Sequence, residues 1–201
     1  KEGRFKREIA PVTIKGKAGD VTIDTDELPR NAKPDKIPQL KAAFARDGTI
    51  TAANSSSISD GGSALVLTTA AQAARLGLKP MARIVAHSRH SHEPNLFTTA
   101  PVFAMQKLFA RTGWSASDVD LFEINEAFAM VTMMAIRDLG LDEAKVNVHG
   151  GACAMGHPIG SSGSRIMVSL MYALKHYGKQ RGVASLCIGG GEATAVAIEM
   201  L

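Results

Sequence analysis

The sequence predicts a layered α/β domain whose sheet is covered on both faces. Three observations carry this expectation. From Thr49 onward, short apolar runs of strand length alternate with helical runs. Two of the helical runs are apolar almost all round, and 19 glycines punctuate the alternation. Helices that lack a polar face belong inside a protein, and strands alternating with helices fold as a sheet with helices on its faces.

Taken in order, residues 1–48 stand apart. They are polar, carry Pro11, Pro29, Pro34 and Pro38, and offer only short β-type stretches at 9–14 and 21–23. They read as a small subdomain ahead of a main domain at 49–201. Within the main domain, residues 64–67 predict a short strand, 69–76 a helix stopped by Gly77, and 82–86 a strand. Thr98 or Thr99 caps the next helix, which has Pro101 in its first turn and runs to Gly113. A strand at 119–124 feeds a helix at 126–139. Residues 161–177 predict a helix closed by Gly178, and 183–188 with 194–201, joined by a Gly-Gly-Gly-Glu turn, a terminal strand pair. Ala127, Phe128, Met130, Val131, Met133, Met134 and Ile136 surround the first apolar helix, and Ile166, Val168, Leu170, Met171 and Leu174 line the second. The methionines read as core packing rather than as a recognition surface.

Composition narrows the function classes. Hydrophobic residues at 45% and charged residues at 21% exclude a disordered or fibrous chain. Residues 1–48 hold 11 basic and 8 acidic side chains, a surplus that suits an anionic ligand but falls short of the clustered stripe of a nucleic-acid binder. Cys153 and Cys187 make neither a CxxC nor a disulfide framework, which fits a reducing, cytoplasmic setting. The longest apolar run, 127–136, is broken by Thr132 and is far shorter than the roughly 18–20 residues that span a bilayer, so no membrane partner is expected. No signal peptide is visible. The opening KEGRFKREIAPVTI reads as the middle of something longer, and residues upstream of Lys1 are expected.

Three segments concentrate the residues that do chemistry. Asn125-Glu126-Ala127-Phe128-Ala129 falls at a strand-to-helix junction, which aims side chains at the carboxyl edge of a sheet, where open α/β folds bind ligands. Taken alone, the pair also fits an Asn125 N-cap with Glu126 complementing the helix dipole. The second segment, His149 to Gly163, reads HGGACAMGHPIGSSG, and the third is Cys187-Ile188-Gly189-Gly190-Gly191. Neither GxxxxGK[ST] nor a strand-to-helix GxGxxG is present, so a nucleotide loop is disfavoured. His149, Cys153 and His157 are spaced four apart, but the glycines and Pro158 work against the continuous helix a metal face would need. His87, His90 and His92 carry no stronger metal signal. A histidine among small residues suits proton transfer or oxyanion binding because a substrate reaches its ring. A structural, backbone-bonded role for His157 and a buried structural thiol for Cys187 stay open on the residues alone. Cys153 reads as structural.

The combination is more specific than its parts. NEAFA, then GGACAMGHPIGSSG, then CIGGG, with 32 residues from Asn125 to His157 and 30 from His157 to Cys187, resembles the thiolase family. The likeness extends to GRFKREIAPV, which looks like that family's loop domain, and to ITAANSSSISDGGSALVL, which looks like the return into its catalytic core. The resemblance implies a thiolase-like layered fold: part of the loop domain at 1–48 and the C-terminal core domain at 49–201. It implies that His157 helps activate a nucleophile and, with a water held by Asn125, stabilises the thioester oxyanion. Cys187 would be the acid/base at the substrate α-carbon, and Gly189 would offer a backbone N–H to an oxyanion. Ser56, Phe44, Ala127 and Phe128 would line the coenzyme A thioester, and Arg30 would face its nucleotide. Ser57, where the family commonly has Gly, and His149, where it commonly has Asn, depart from the pattern.

The implied reaction is reversible transfer of an acetyl group between two coenzyme A thioesters, from two acetyl-CoA to acetoacetyl-CoA and free CoA or the reverse, in a homo-oligomer, with the thioester as substrate and no further cofactor or metal. The family's nucleophilic Cys lies in an N-terminal half that precedes the loop domain, and neither Cys153 nor Cys187 maps there. The chain is therefore expected to be a C-terminal fragment, inactive alone, whose missing N-terminal half is its partner. The alternative from another class is a non-catalytic coenzyme A-binding or assembly module of the same fold.

Overall fold

The computed structural model describes residues 2–201. Residues 12–23 form a two-stranded ribbon, β1 (Val12–Ile14) antiparallel to β2 (Val21–Ile23), with Val12 opposite Ile23 and Ile14 opposite Val21. The period-2 rule then puts these four branched side chains on one face and Thr13 with Thr22 on the other, where the two hydroxyls meet at 3.1 Å. A single helical turn, α1 (Leu28–Asn31), follows, starting just after a proline-compatible corner with Pro29 in its first turn.

The main domain is built on one four-stranded sheet. It comprises β3 (Ala82–Ser91), β4 (Leu121–Ile124), β5 (Arg181–Ile188) and β6 (Glu192–Met200) in the order β3-β6-β5-β4. β4 and β5 are parallel, and the other pairs are antiparallel. The helices are α2 (Ala70–Arg75), α3 (Ala100–Thr112), α4 (Ala129–Leu139), α5 (Ala152–Met155) and α6 (Ser162–Tyr177).

Both faces of the sheet are covered, as the alternation predicts. On one side Val102, Met105 and Leu108 of α3 and Val131 and Ala135 of α4 pack on Phe122, Ile124, Val183 and Cys187. On the other, Ile166, Leu170, Ala173 and Leu174 of α6 pack on Leu121, Ala184 and Ile198. Strand alternation sorts the side chains: Phe122 and Ile124 face α3 and α4, whereas Leu121 and Glu123 face α6. The sheet order brings the carboxyl ends of β4 and β5 to one edge, with Ile124 opposite Ser185.

Several elements differ from the sequence expectation. No strand forms at 64–67, where Val66 is 94% exposed and no ladder partner pairs with the chain. The helix expected from Glu126 begins at Ala129 instead, because residues 125–128 are drawn into extended backbone: Ser55 bridges to Phe128, and Ala129 N–H donates to Asn54 O at 2.9 Å. Asn125 is thus no N-cap. Thr99 precedes α3, but its hydroxyl donates back to Leu96 O rather than capping the helix. β3 runs five residues beyond the expected Ala86, to Ser91, since β6 is long enough to pair with all of it. Helix α4 is not wholly enclosed either: its inner face holds Val131 and Ala135 while Met133 is 65% exposed.

Leu170 is fully buried between α6 and the sheet. Leu170→Ala is expected to lower unfolding free energy by about 2–5 kcal/mol through lost contact and the cavity left behind, read as a fall in the denaturant midpoint with an unchanged slope.

Candidate active site

The site is assembled at the carboxyl edge of β4 and β5. Asn125 follows the last residue of β4, and its N–H donates to Ser185 O at 2.9 Å, which extends the parallel ladder by one rung. Its side chain is 1% exposed. The next two residues carry different work. Glu126 accepts from Asn147 Nδ2 at 3.1 Å and from the Cys153 N–H at 3.0 Å. Asn147, at φ 47°, in turn bonds both backbone groups of Ile124, accepting from its N–H and donating to its O at 2.8 Å each. Glu126 therefore rivets the strand end to the loop that leads to His157.

His157 lies on the turn between α5 and α6. Its N–H donates to Ser57 O at 3.0 Å, so residues 55–58 run alongside both site loops: Ser56 donates to Ala127 O from its N–H at 3.1 Å and from its hydroxyl at 3.0 Å. The imidazole has two partners. Nδ1 lies 2.6 Å from Ser162 Oγ, and Nε2 lies 3.4 Å from Asn125 Nδ2. The Ser162 Oγ also lies 3.1 Å from Pro158 O; when its hydroxyl donates there, it accepts from Nδ1–H. That leaves the Nε2 lone pair facing the Asn125 amide group. Burial, and after it the positive charge of Arg165, hold the His157 pKa below the ordinary imidazole value. The lowered pKa favours the neutral ring, with Nε2 beside the Asn125 amide at the strand edge.

Cys187 is the next-to-last residue of β5, opposite Ala193, and is buried among the side chains beneath α3 and α4. Burial pushes its thiol up to about 11. Gly189 follows in the exposed turn into β6. That turn is set by Gly191, at φ 96°, where a side chain would strike the His92 carbonyl oxygen. No hydrogen bond among the described residues joins Cys187 to His157 or Asn125; what they share is the sheet edge. Cys153 is a different thiol: burial first, then the Glu126 carboxylate, push it up to about 12.

The remaining expected residues are spread around this edge. Phe128 packs on the core and meets Phe44 edge-on at 6.0 Å, with Phe44 itself 74% exposed. Ala127 supplies the carbonyl that Ser56 holds. Arg30 is exposed on α1, which packs near α5 through Leu28 against Gly156, and no hydrogen bond or ion pair links its side chain to the others among the described residues. His149 is elsewhere, in an aromatic cluster with Phe5, His176 and Tyr177. Among the described residues no three His, Cys, Asp or Glu side chains group to hold a metal ion, and no helix is long and apolar enough to cross a membrane.

Sequence reasoning missed Ser162, Asn147, Glu123 and Arg165. The signals were present for the last two. Glu123 is a carboxylate inside the strand Leu121–Ile124, all of which is buried. Arg165 falls three residues after Ser162 and four before Ser169, in phase with the buried stripe of α6. Burial pushes the Glu123 carboxyl up to about 8, against an opposing pull from Arg165.

Because the folded pKa of Glu123 is raised above that of the unfolded chain, the folded state holds the extra proton between these values. Stability is therefore expected to fall as pH rises from about 4.5 to about 8. Glu123→Gln should flatten that slope, read from denaturant midpoints at pH 5 and pH 8.5. A Cβ at Gly151 would land on the Glu126 carboxylate. Gly151→Ala should then dislodge Glu126 and lower stability by about 1–3 kcal/mol, while Glu126→Gln, which fits without that contact, should be milder.

Comparison with known proteins sets this geometry in a family. Residues 78–200 match the family model described as thiolase, C-terminal domain, and residues 1–71 that described as thiolase, N-terminal domain. The acetyl-CoA acetyltransferase of Syntrophomonas wolfei is 46% identical in a match covering 99% of this chain and 51% of that protein. The cytosolic acetyl-CoA acetyltransferase of Mus musculus is 45% identical, again over 99% of this chain and 51% of its own length. Among solved structures, the Bacillus anthracis acetyl-CoA acetyltransferase superposes with a TM-score of 0.95 at 44% identity, covering 99% of this chain and 51% of that one. The Acat5 thiolase from Ascaris suum, in complex with coenzyme A, gives 0.89 at 39% identity, over 100% and 51%. The chain spans about half the length of the curated relatives it matches. By both family models, by these relatives and by its fold, the chain belongs to the thiolase family.

Proposed function

We propose that this chain supplies the base, the α-carbon acid/base and the oxyanion donors for reversible acetyl transfer between coenzyme A thioesters, making or cleaving acetoacetyl-CoA. The observation that carries the reading is the chain Asn125, His157, Ser162, with Nδ1 2.6 Å from the Ser162 hydroxyl and Nε2 3.4 Å from the Asn125 amide at the edge where Cys187 and the Gly189 turn end; we assign the ring proton to Nδ1, which leaves Nε2 as the base. His157 takes the proton of an attacking thiol on Nε2, and the resulting imidazolium, with a water held by Asn125, faces the thioester oxygen as negative charge grows there. Cys187 suits a carbon acid. A thiol whose pKa is held near 11 is protonated at rest and, once ionised, is a stronger base than an ordinary thiolate. It gives its proton to the α-carbon in cleavage and recovers it in condensation, and the N–H of Gly189, on the exposed turn, donates to the second oxyanion.

The nucleophilic thiolate comes from outside these 201 residues. Cys153 and Cys187 are the only cysteines in the sequence, and both are held as thiols by burial. The partner that brings it is the remainder of a thiolase, in keeping with relatives about twice as long. Apolar side chains left open around the site, Ile58 at 95%, Ile159 at 74% and Met133 at 65% exposure, are surface for that partner and for homo-oligomer contacts. Ser56, Ala127, Phe128 and Phe44 line the thioester arm, and Arg30 meets the nucleotide phosphates. A cytosolic setting goes with the mouse relative's name. The thioester is itself the activated substrate, so the scheme calls for no metal or further cofactor.

The test uses this chain joined to a thiolase N-terminal half. Cys187→Ala should still accumulate an acetyl adduct from acetyl-CoA by mass spectrometry, while condensation falls by about 10²–10⁴-fold. Cys153→Ser should keep most activity. The 201-residue chain alone should not cleave acetoacetyl-CoA. Normal condensation by Cys187→Ala, or turnover by the isolated chain at an ordinary enzymatic rate, would overturn the reading.

A further inference from the structure

One turn of α6 holds both members of the Asn125–His157 pair. Ser162 fixes the ring through Nδ1. Three residues on, and so on the same side of the helix, Arg165 Nη2 donates to Asn125 Oδ1 at 3.3 Å. This is the one side-chain hydrogen bond Arg165 makes among the described residues, and its Nε and Nη1 are buried without a partner. The guanidinium instead lies against one buried and one half-buried carboxyl group. Glu123 Oε2, on the same sheet face, lies 4.0 Å from Nη1. Glu8, from the N-terminal segment, is anchored by Ser169 Oγ at 3.2 Å on the next turn of α6 and also faces it, with Oε2 unpartnered.

The consequence falls on the orientation of a carboxamide. Asn125 is buried, so its two ends cannot exchange partners through water. A cation at one end selects the oxygen there and sends the NH₂ to the other. We propose that Arg165 is a positioning residue, whose guanidinium holds Asn125 Oδ1 so that the amide group donates to His157 Nε2 and keeps the proton of that ring on Nδ1. Remove the cation, and the carboxamide is free to turn its oxygen toward the ring, which draws the proton to Nε2 and takes away the lone pair the base needs. Glu123 and Glu8 keep the guanidinium in place and touch neither Asn125 nor His157 by any hydrogen bond among the described residues.

This inference deepens the acyl-transfer reading and rests on it for its purpose, but its test does not need turnover. In the 201-residue chain, ¹⁵N-labelled at histidine, the pyridine-like nitrogen of His157 should be Nε2. In Arg165→Gln that signal should shift toward Nδ1, and the titration midpoint of the ring should rise as the neighbouring positive charge is lost. Arg165→Lys, which restores a cation and a donor, should move both back toward wild type. A wild-type ring protonated on Nε2 overturns the proposal whether or not the variant folds. So does an Arg165→Gln chain with wild-type circular dichroism and unmoved His157 signals. Failure of the acetyl-adduct experiment with these NMR results intact would count against the reaction and not against the positioning role.

Discussion

The parallel pairing of β4 with β5 is the constraint on which the site depends. With Ile124 opposite Ser185, the backbone just past each strand is delivered to the same edge, and the Asn125 N–H closes the last rung on Ser185 O. A slip of one residue would turn Glu123 toward the apolar layer under α3 and α4 and point Phe122 at Arg165. The two faces of this short strand are so unlike, one wholly apolar and one holding a carboxylate, that the register is strongly specified. A parallel pair also requires a crossover, and here the crossover carries α4, the Asn147–Met155 loop and α6, of which the loop gives the site Asn147 and α6 gives it Ser162 and Arg165.

The edge is closed by a length of chain with no secondary structure of its own. Residues 54–58 hydrogen-bond to Ala129 and Ala127 on one side and to His157 on the other. This strap is what pulls residues 125–128 out of the helix their sequence favours. The departure from local propensity therefore coincides with function, as expected where tertiary contacts override a helical preference. Glu8, Glu123 and Arg165 form a polar cluster on the α6 side of β4, where burial favours the protonated form of both acids against the opposing pull of the guanidinium.

Much of the fold was legible. The terminal hairpin, the long helix 162–177 and the apolar stripes of α3 and α6 follow from period and punctuation, and the strands on both sides of Gly189 through Gly191 were placed by the turn. Residues 64–67 misled because four apolar residues fit a strand only if a partner is available to pair with them. The site was legible as three segments, yet the bonds within it were not: nothing in the spacing of Asn125 and His157 says that Ser162 fixes the ring or that Asn147 stands in as a neighbour to Ile124. The Asn147–Ile124 bonds join residues 23 apart in sequence, and the Ser162–His157 bond, though only five apart, depends on the turn at Pro158 that no periodicity reports. Glu123 and Arg165 were visible as misplaced charges in otherwise apolar elements, a signal that marks a buried pair but not what it supports.

The burial of both sulfurs has a practical side. Alkylating agents and peroxide attack thiolate, and their rates fall with the thiolate fraction. With Cys153 held up to about 12 by burial and the Glu126 carboxylate, and Cys187 up to about 11 by burial, both sulfurs react slowly at neutral pH. In a longer polypeptide that adds a cysteine of ordinary pKa to this sequence, a limiting dose of iodoacetamide labels that added cysteine first. Brief labelling followed by peptide mapping would locate the attacking sulfur by subtraction, with no substrate present.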